Sequence, residues 1–477
     1  MSLRERVTRK EDLSRYLDQD QHFEKTLGSS DLIAMGVGAV IGTGIFILPG
    51  TVAAVHSGPG IVLSFVLAAI VCSTAAMCYA EFSSALPIAG SAYSFGNVIF
   101  GEGTGWFLGW SLILEYMLAV AAVSTGFASY FNSFIAGFNL HIPQAFNGPF
   151  DPAHGTYFNL VAVLIVWFIF WLLSRGVSTS MKINNLMVVI KIAIIILFLL
   201  VGAFYIKPSN WTPFAPFGSK GIFTGASLVF FAYLGFDCVS AAAAEVKQPE
   251  KNMPRGIIGT LVICTVLYML VSIVLTGMVK YTKLNVGNPV AFALQLVHQN
   301  WAAGVISIGA MLGMFTMMVS MIYSASRLIY SIGRDGLFPK FLGKINDKNH
   351  LPQHSMLVVT IIISLTGGML SLDQLTNLVN IGTLMAFTFV SAGIIPLRKR
   401  KDIPNENGFK VPFYPVLPII SVLLCILMLT QLSKETWLMF LIWLVLGIVI
   451  YFGYGIKHSQ LAQKDPVSQN GASKKAE

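Results

Sequence analysis

Charge is what this chain has least of. Asp, Glu, Lys and Arg make up 11% of its 477 residues while 55% are hydrophobic, and so little polar surface excludes a water-soluble protein. Long polar stretches are also missing, so no separate soluble catalytic domain fits between the apolar runs and the chain reads as one bundle. No cleavable leader is visible: the first thirty residues are polar and charged (Arg4, Arg6, Arg9, Lys10, Glu11, Asp12), and the first apolar run continues at full spanning length. Cysteine is scarce. Cys72, Cys78, Cys238, Cys264 and Cys425 all fall inside apolar runs and none is spaced as a zinc ligand, so they read as core thiols. His56, His141, His154, His298, His350, His354 and His458 lie in loops or at span ends, which leaves no metal cluster or nucleophile–base pair and argues against an enzyme. The formal net charge is +9, but the basic residues sit in alternate loops, so they report topology and not nucleic-acid binding.

What the chain does have is repetition of apolar runs, near 31–56, 60–85, 101–131, 157–174, 182–205, 221–245, 255–278, 301–332, 355–370, 377–397, 414–432 and 437–456. They predict an all-α membrane protein of twelve transmembrane helices, with both termini on one side. Of the 31 Lys and Arg, 25 fall on that side, Lys207, Lys220, Lys280, Lys283 and Lys434 on the other, and Lys191 inside span 5. This split places both termini in the cytoplasm of a cell membrane. Spans 3 and 8 exceed a perpendicular crossing and imply tilt. The stretch from Pro87 to Phe100, with Gly90, Ser91, Tyr93 and Ser94, suggests a short interfacial helix. The tail 459–477 is polar, lacks aromatics and reads as disordered.

Span 1 contains Gly36, Gly38, Gly42, Gly44 and Gly50 with Pro49, too many breakers for a well-propagating helix. Either it packs tightly through small residues, or it opens at Gly42-Thr43-Gly44, where hydrocarbon cannot satisfy freed N–H and C=O groups and a ligand can. A weaker interruption runs from Phe230 to Cys238 in span 6, five spans later, where an inverted repeat places its counterpart. Two broken helices meeting at mid-membrane would turn N–H groups toward an anion and carbonyls toward a cation. A carboxylate and an ammonium on adjacent atoms match both.

Gly-Ala-Val-Ile-Gly-Thr-Gly-Ile-Phe at 38–46, Cys-Tyr-Ala-Glu-Phe-Ser at 78–83, Pro-Ile-Ala-Gly-Ser-Ala-Tyr at 87–93, Phe-Phe-Ala-Tyr-Leu-Gly-Phe-Asp at 230–237, Glu-Val-Lys-Gln-Pro-Glu-Lys-Asn-Met-Pro at 245–254, Arg-Asp-Gly-Leu-Phe-Pro at 334–339 and Asn-Ile-Gly-Thr-Leu at 380–384 follow one another in this order. In these pieces the chain resembles the amino acid, polyamine and organocation transporter superfamily, and within it bacterial relatives of the cationic amino acid transporters. The resemblance implies a leucine-transporter-type fold: a cytoplasmic segment 1–30, inverted repeats at 31–205 and 221–397 with helices 1 and 6 unwound, added helices at 414–456, and the tail. It also implies that Thr43 and Gly44, with Gly42 at the break, meet the substrate carboxylate. Val40, Phe231, Ala232 and Leu234 would take the amino group, Phe231 would cover the site, and Cys238 joins the substrate contacts. Some animal members pair through a cysteine with a heavy chain. With no cysteine between Phe131 and Tyr157, no such disulfide-linked partner is expected, while a small single-span subunit stays open.

Ionisable groups far from span ends are costly and therefore functional candidates. Lys191 lies about ten residues into span 5, too deep to snorkel, and reads either as an amine that gains and loses a proton or as a fixed charge paired with Asp237 or Glu115. The resemblance implies that it replaces the sodium ion bridging helices 1 and 5 in coupled relatives. Glu115 either receives a cationic substrate side chain or packs against span 8 or 10. Asp237 either caps the lower half of span 6 or orients Lys191, and Tyr268 offers a phenol to the amine. Glu81, Glu245, Arg327 and Arg334 would form a cytoplasmic gate.

Met314, Met317, Met318 and Met321 recur at helical spacing, as adaptable core does. If Met321 faces the pocket, as the resemblance implies, it shortens the cavity. The expectation is therefore proton symport of small neutral amino acids such as alanine, with the proton as coupling ion and no cofactor. Transport of arginine and lysine, exchange, and a non-transporting sensor are the alternatives; a channel would need a polar stripe or filter that is not seen.

Overall fold

A computed structural model describes residues 7–10, 25–88, 91–175, 181–346, 351–400, 403 and 408–460. Most of the segment before residue 25, Gly90, His350 and the tail beyond residue 460 lie outside the described residues. The described chain is helical, with isolated bridges such as Leu27 to Val246 in place of strands. The first apolar run is divided into α1 (Ser29–Val40), α2 (Thr43–Phe46) and α3 (Leu48–Val52), and a wide turn at Ala53–Ser57 leads on to α4 (Ile61–Ala85). The stretch after Pro87 forms a short helix, α5 (Ser91–Ile99), buried along its whole length. Then come α6 (Glu102–Ala136), α7 (Leu160–Ser174), α8 (Met181–Ala203), α9 (Gly218–Val229), α10 (Asp237–Ala241) and α11 (Pro249–Met278). The chain continues through α12 (Pro289–Leu296), α13 (Asn300–Arg334), α14 (Gln353–Met369), α15 (Leu372–Lys399), α16 (Val416–Leu429), α17 (Lys434–Ile450) and α18 (Ile456–His458).

Among the described residues, eight helical stretches are long and apolar enough to cross a membrane, and α1, α7, α14 and α16 are shorter apolar helices. Apolar side chains cover the outside as well as the core. Leu164, Phe168 and Trp171 of α7 and Leu438, Leu441 and Val445 of α17 are exposed, the pattern of a helix whose outer solvent is lipid. The chain is a membrane protein.

Burial orders the bundle. In α6, 94% of the apolar stretch is buried, against 28% in the stretch beginning at α17, so α6 is the central post and α17 a peripheral one. α6 packs against α5, α7, α13, α14 and α15, while α1 packs against α8, α11 and α13. At 35 residues each, α6 and α13 are roughly 50 Å long at a rise of about 1.5 Å per residue. α17 is held to the post by paired indoles: Trp110 and Trp443 stack with centroids 4.2 Å apart, and each ring N–H donates to the other residue's carbonyl at 2.8 and 3.2 Å. The first tail residues are tied down and not free: Ser459 Oγ donates to Glu102 Oε2 at 2.6 Å, and the Gln460 N–H to the Asp335 carbonyl at 3.0 Å.

Candidate functional site

The glycines of the first span act where breakage was expected. α1 stops at Val40, Ile41 takes an extended conformation (φ −78°, ψ 104°), Gly42 follows, and helix resumes at Thr43. The second interruption is sharper than its sequence suggests: α9 tightens into a 3₁₀ turn over Phe230–Tyr233, Leu234 is extended, Gly235 lies at φ +106°, and α10 begins at Asp237. That positive φ disfavours a side chain. The two openings touch. A Cβ built on Gly44 would lie 2.6 Å from Ala232 Cα, and one on Gly235 would lie 3.0 Å from the Ala39 carbonyl, so glycine at 44 permits the close approach.

Opening α1 frees carbonyls in a buried place, where an unpaired one is costly. Lys191, on α8 and 2% exposed, donates from Nζ to the carbonyls of Gly38 at 2.7 Å and Ile41 at 3.1 Å. Its stem lies against α13, where a Cβ on Gly313 would sit 3.4 Å from Lys191 Cε. The amine is bound to backbone and not to Asp237 or Glu115. Tyr268 does not serve that amine by hydrogen bond; its hydroxyl lies 2.6 Å from the Ala232 carbonyl and 3.2 Å from that of Val40. One phenol thus spans both openings.

Thr43 is fully buried, and its hydroxyl has no hydrogen-bond partner among the described residues. It faces Gly126 of α6, where a Cβ would come within 3.1 Å of Oγ1. Phe231, Ala232 and Leu234 are buried at the second opening, and Cys238 is partly exposed where the other four cysteines are buried. Met321 is buried on α13. The contact with Gly42 comes instead from Met317, whose Sδ a Cβ there would overlap. Sequence periodicity marked Met317 as core and gave no sign of this.

Asp237 opens α10 and accepts from the Tyr116 hydroxyl at 3.1 Å, while its other oxygen has no partner within hydrogen-bond criteria among the described residues. Glu115, 2% exposed, lies in electrostatic range of Asp237 and beside Thr383 of α15, whose hydroxyl donates to the Val379 carbonyl at 3.1 Å. Neither oxygen of Glu115 has a hydrogen-bond partner among the described residues.

Among the described residues, the four expected to form a gate each contact other groups. Glu81 is bidentate with Arg398, at 2.7 Å to Nε and 2.8 Å to Nη2, and also accepts the Val411 N–H at 2.6 Å. Arg327 lies over the Tyr323 ring and Arg334 over Tyr330. Glu245 joins the start of the described core through its carbonyl, which accepts the N–H groups of Thr26 and Leu27 at 3.0 Å each. Arg398 was missed because it ends its span among other basic residues, where sequence shows no partner.

With this geometry in hand, comparisons with known proteins speak to the whole chain. Residues 27–460 match the family model described as amino acid permease. The chain is 50% identical to the methylthioribose transporter of Bacillus subtilis (strain 168), over 92% of this chain and 95% of that protein. It is 45% identical to the branched-chain amino acid permease BcaP of the same organism, over 95% and 98%. At 27%, over 93% and 94%, it is similar to the vacuolar cationic amino acid transporter 4 of Arabidopsis thaliana. A membrane bundle with two touching helix breaks, matched from Leu27 to Gln460, belongs to the amino acid permease family.

Proposed function

We propose that this protein is a proton-coupled importer of neutral amino acids working by alternating access. The observation that carries the reading is the Lys191 amine seated on the Gly38 and Ile41 carbonyls of the opened helix. Charged, the amine holds α1 to α8; on losing its proton it keeps two hydrogens but loses the charge that strengthens both bonds, and the opening is released. The groups beside it match a zwitterion chemically. Its carboxylate meets Thr43, with its unpaired hydroxyl, and Gly44; its ammonium meets carbonyls at Val40, Phe231, Ala232 and Leu234, each able to accept a second hydrogen bond.

Apolar walls at Phe231 and Met321 favour short aliphatic side chains over basic ones, and the name of the 45% relative, a branched-chain permease, points the same way. A second reading, transport of basic amino acids, rests on the unpaired carboxylate of Glu115. In the membrane, the four shorter apolar helices complete twelve crossings arranged as inverted repeats of five with two more, both termini in the cytoplasm. The proton is the only coupling ion, the bilayer and the amino acid the only partners the reading needs.

Purified protein in proteoliposomes tests this directly. Labelled alanine should accumulate under an inward pH gradient without sodium, and Lys191→Ala should abolish that accumulation. Sodium dependence at constant pH, or normal accumulation by the variant, overturns the coupling. Strong competition by arginine and lysine overturns the substrate order. Uptake that requires amino acid inside the vesicle makes the protein an exchanger. Cys238 supplies a separate readout, since alkylation of this partly exposed thiol should slow in saturating alanine.

A further inference from the structure

At the end of the bundle where Arg9 and Ser459 meet at Glu102, the short helix α5 packs against α6, α10 and α15. It closes on α10, the half-helix that leaves the second opening: Ser91 Oγ lies 2.7 Å from Ser240 Oγ. Two residues on, the Tyr93 hydroxyl donates at 2.7 Å to Oδ2 of Asp335, the residue that follows α13. α5 is therefore held by a half-helix on one side and by the end of α13 on the other. The last described residues of the chain are seated on the same frame. Ser459 Oγ donates at 2.6 Å to Glu102, three residues beyond α5, while the Asp335 carbonyl accepts the Gln460 N–H at 3.0 Å and the Arg334 carbonyl accepts Gln460 Nε2 at 2.7 Å. The seat is shaped for the tail. Gly336 lies at φ +86°, and a Cβ there would come 2.2 Å from the His458 carbonyl, so a side chain at 336 would lift the tail away. The final turns of α17 widen over Tyr451–Gly455, a local device that recurs at functional positions in helices.

We propose that Ser459 and Gln460 form a latch on α5, which sets how often this end of the transporter opens. With the tail seated, Asp335 and Glu102 are fixed from outside, Tyr93 keeps its partner, and α5 stays against α10. With the tail lifted, α5 loses that backing and parts from α10 more often. Hydrogen bonds make the seat, and each contributes little net stability. It hangs from α17, in a stretch only 28% buried, so the tail can leave without disturbing the core. Neither residue touches either opening. The latch therefore regulates access and leaves the binding of the amino acid alone.

Thiol accessibility in the full chain tests this. Ala92→Cys places a probe on α5 at a fully buried position, and native Cys72, Cys264 and Cys425, also buried, report any general loosening. Alkylation of each thiol by a maleimide is followed by peptide mass spectrometry in the parent chain, in Gly336→Ala and in the double variant Ser459→Ala/Gln460→Ala. Both latch variants should label position 92 about tenfold faster, the effect that one or two net hydrogen bonds have on an opening equilibrium, with the three native thiols unchanged. If Gly336→Ala does not fold, the double variant carries the comparison alone; if Ala92→Cys does not, Ser240→Cys on the facing half-helix replaces it with the same expectation. An unchanged rate at the probe overturns the latch. So does an equal acceleration at all buried thiols, because that marks a tail that only stabilises the fold. The labelling needs no substrate, so its outcome is independent of which amino acid is carried and of what drives it.

Discussion

Lys191 and Tyr268 divide between them the carbonyls that an opened helix exposes: Gly38 and Ile41 go to the amine, Val40 and Ala232 to the phenol. Their roles should therefore separate experimentally. Tyr268→Phe leaves the Ala232 carbonyl without its shortest donor and should cost about 1–3 kcal/mol, the usual penalty for a buried group losing its partner. The expected result is a lower melting temperature in detergent and slower uptake, with the pH dependence of the remaining uptake unchanged. A shifted pH profile would show that the phenol acts through the amine after all. Lys191 was legible in the sequence because a charge in the middle of an apolar run is rare and demands a reason. Its backbone partners came from the family resemblance and not from its neighbours in sequence. Tyr268 was legible as a phenol for the Lys191 amine but not as the donor shared by Val40 and Ala232, since a carbonyl freed by a break leaves no mark in the side chains. For the same reason Asp237 looked like a cap: its position opening α10 is visible in sequence, but the Tyr116 hydroxyl that reaches it comes from a helix 121 residues away.

At the scale of elements, both interruptions follow from local composition, but unequally. Span 1 has a glycine at every turn near Gly42, so its failure as a continuous helix follows from propensity. Span 6 offers Gly235 alone, and the positive φ there and the tight turn before it lie against α1, where a Cβ on Gly235 would sit 3.0 Å from the Ala39 carbonyl. That contact predicts an asymmetry among glycines. At Gly44 a Cβ meets backbone, Ala232 Cα at 2.6 Å, whereas at Gly304 nothing lies within 4 Å. Backbone cannot rotate away, so Gly44→Ala must push the two openings apart and should reduce alanine uptake by more than tenfold, a rise of about 1.4 kcal/mol or more in the rate-limiting barrier. Gly304→Ala, in the same helical bundle with open space around it, should transport as wild type and melt slightly higher because alanine favours helix by about 1 kcal/mol. Equal effects at the two positions, measured as initial rates at matched protein density, would mean that the contact between openings does not matter.

Across the whole molecule, the basic end is held by pairs that join segments hundreds of residues apart. Glu102 at the start of α6 accepts from Tyr451 and Ser459, and its N–H reaches the Arg9 carbonyl, so both described ends of the chain converge there. Glu81 of α4 and Arg398 of α15 form the strongest of these ties, bidentate, with the Glu81 side chain fully buried and that of Arg398 21% exposed. The Arg398 guanidinium also covers the Tyr414 ring at 4.2 Å and donates to the Val411 carbonyl at 3.0 Å, so the chain leading into α16 is folded against the same pair. Two charges drawn out of water need each other more than the fold needs both. Removing one leaves the other stranded: Glu81→Leu or Arg398→Met alone should cost about 3–5 kcal/mol, enough to lower the melting temperature and the yield of folded protein. The double variant removes the stranded charge and should recover much of that loss. If the tie only stabilises, the double variant will transport alanine at the wild-type rate. If it also holds the basic end shut between turnovers, the double variant will be stable yet leak, with counterflow persisting after the pH gradient is collapsed. Melting curves and counterflow on the two single variants and the double variant decide between these outcomes, because stability alone follows the charge balance while leakage follows the tie between α4 and α15.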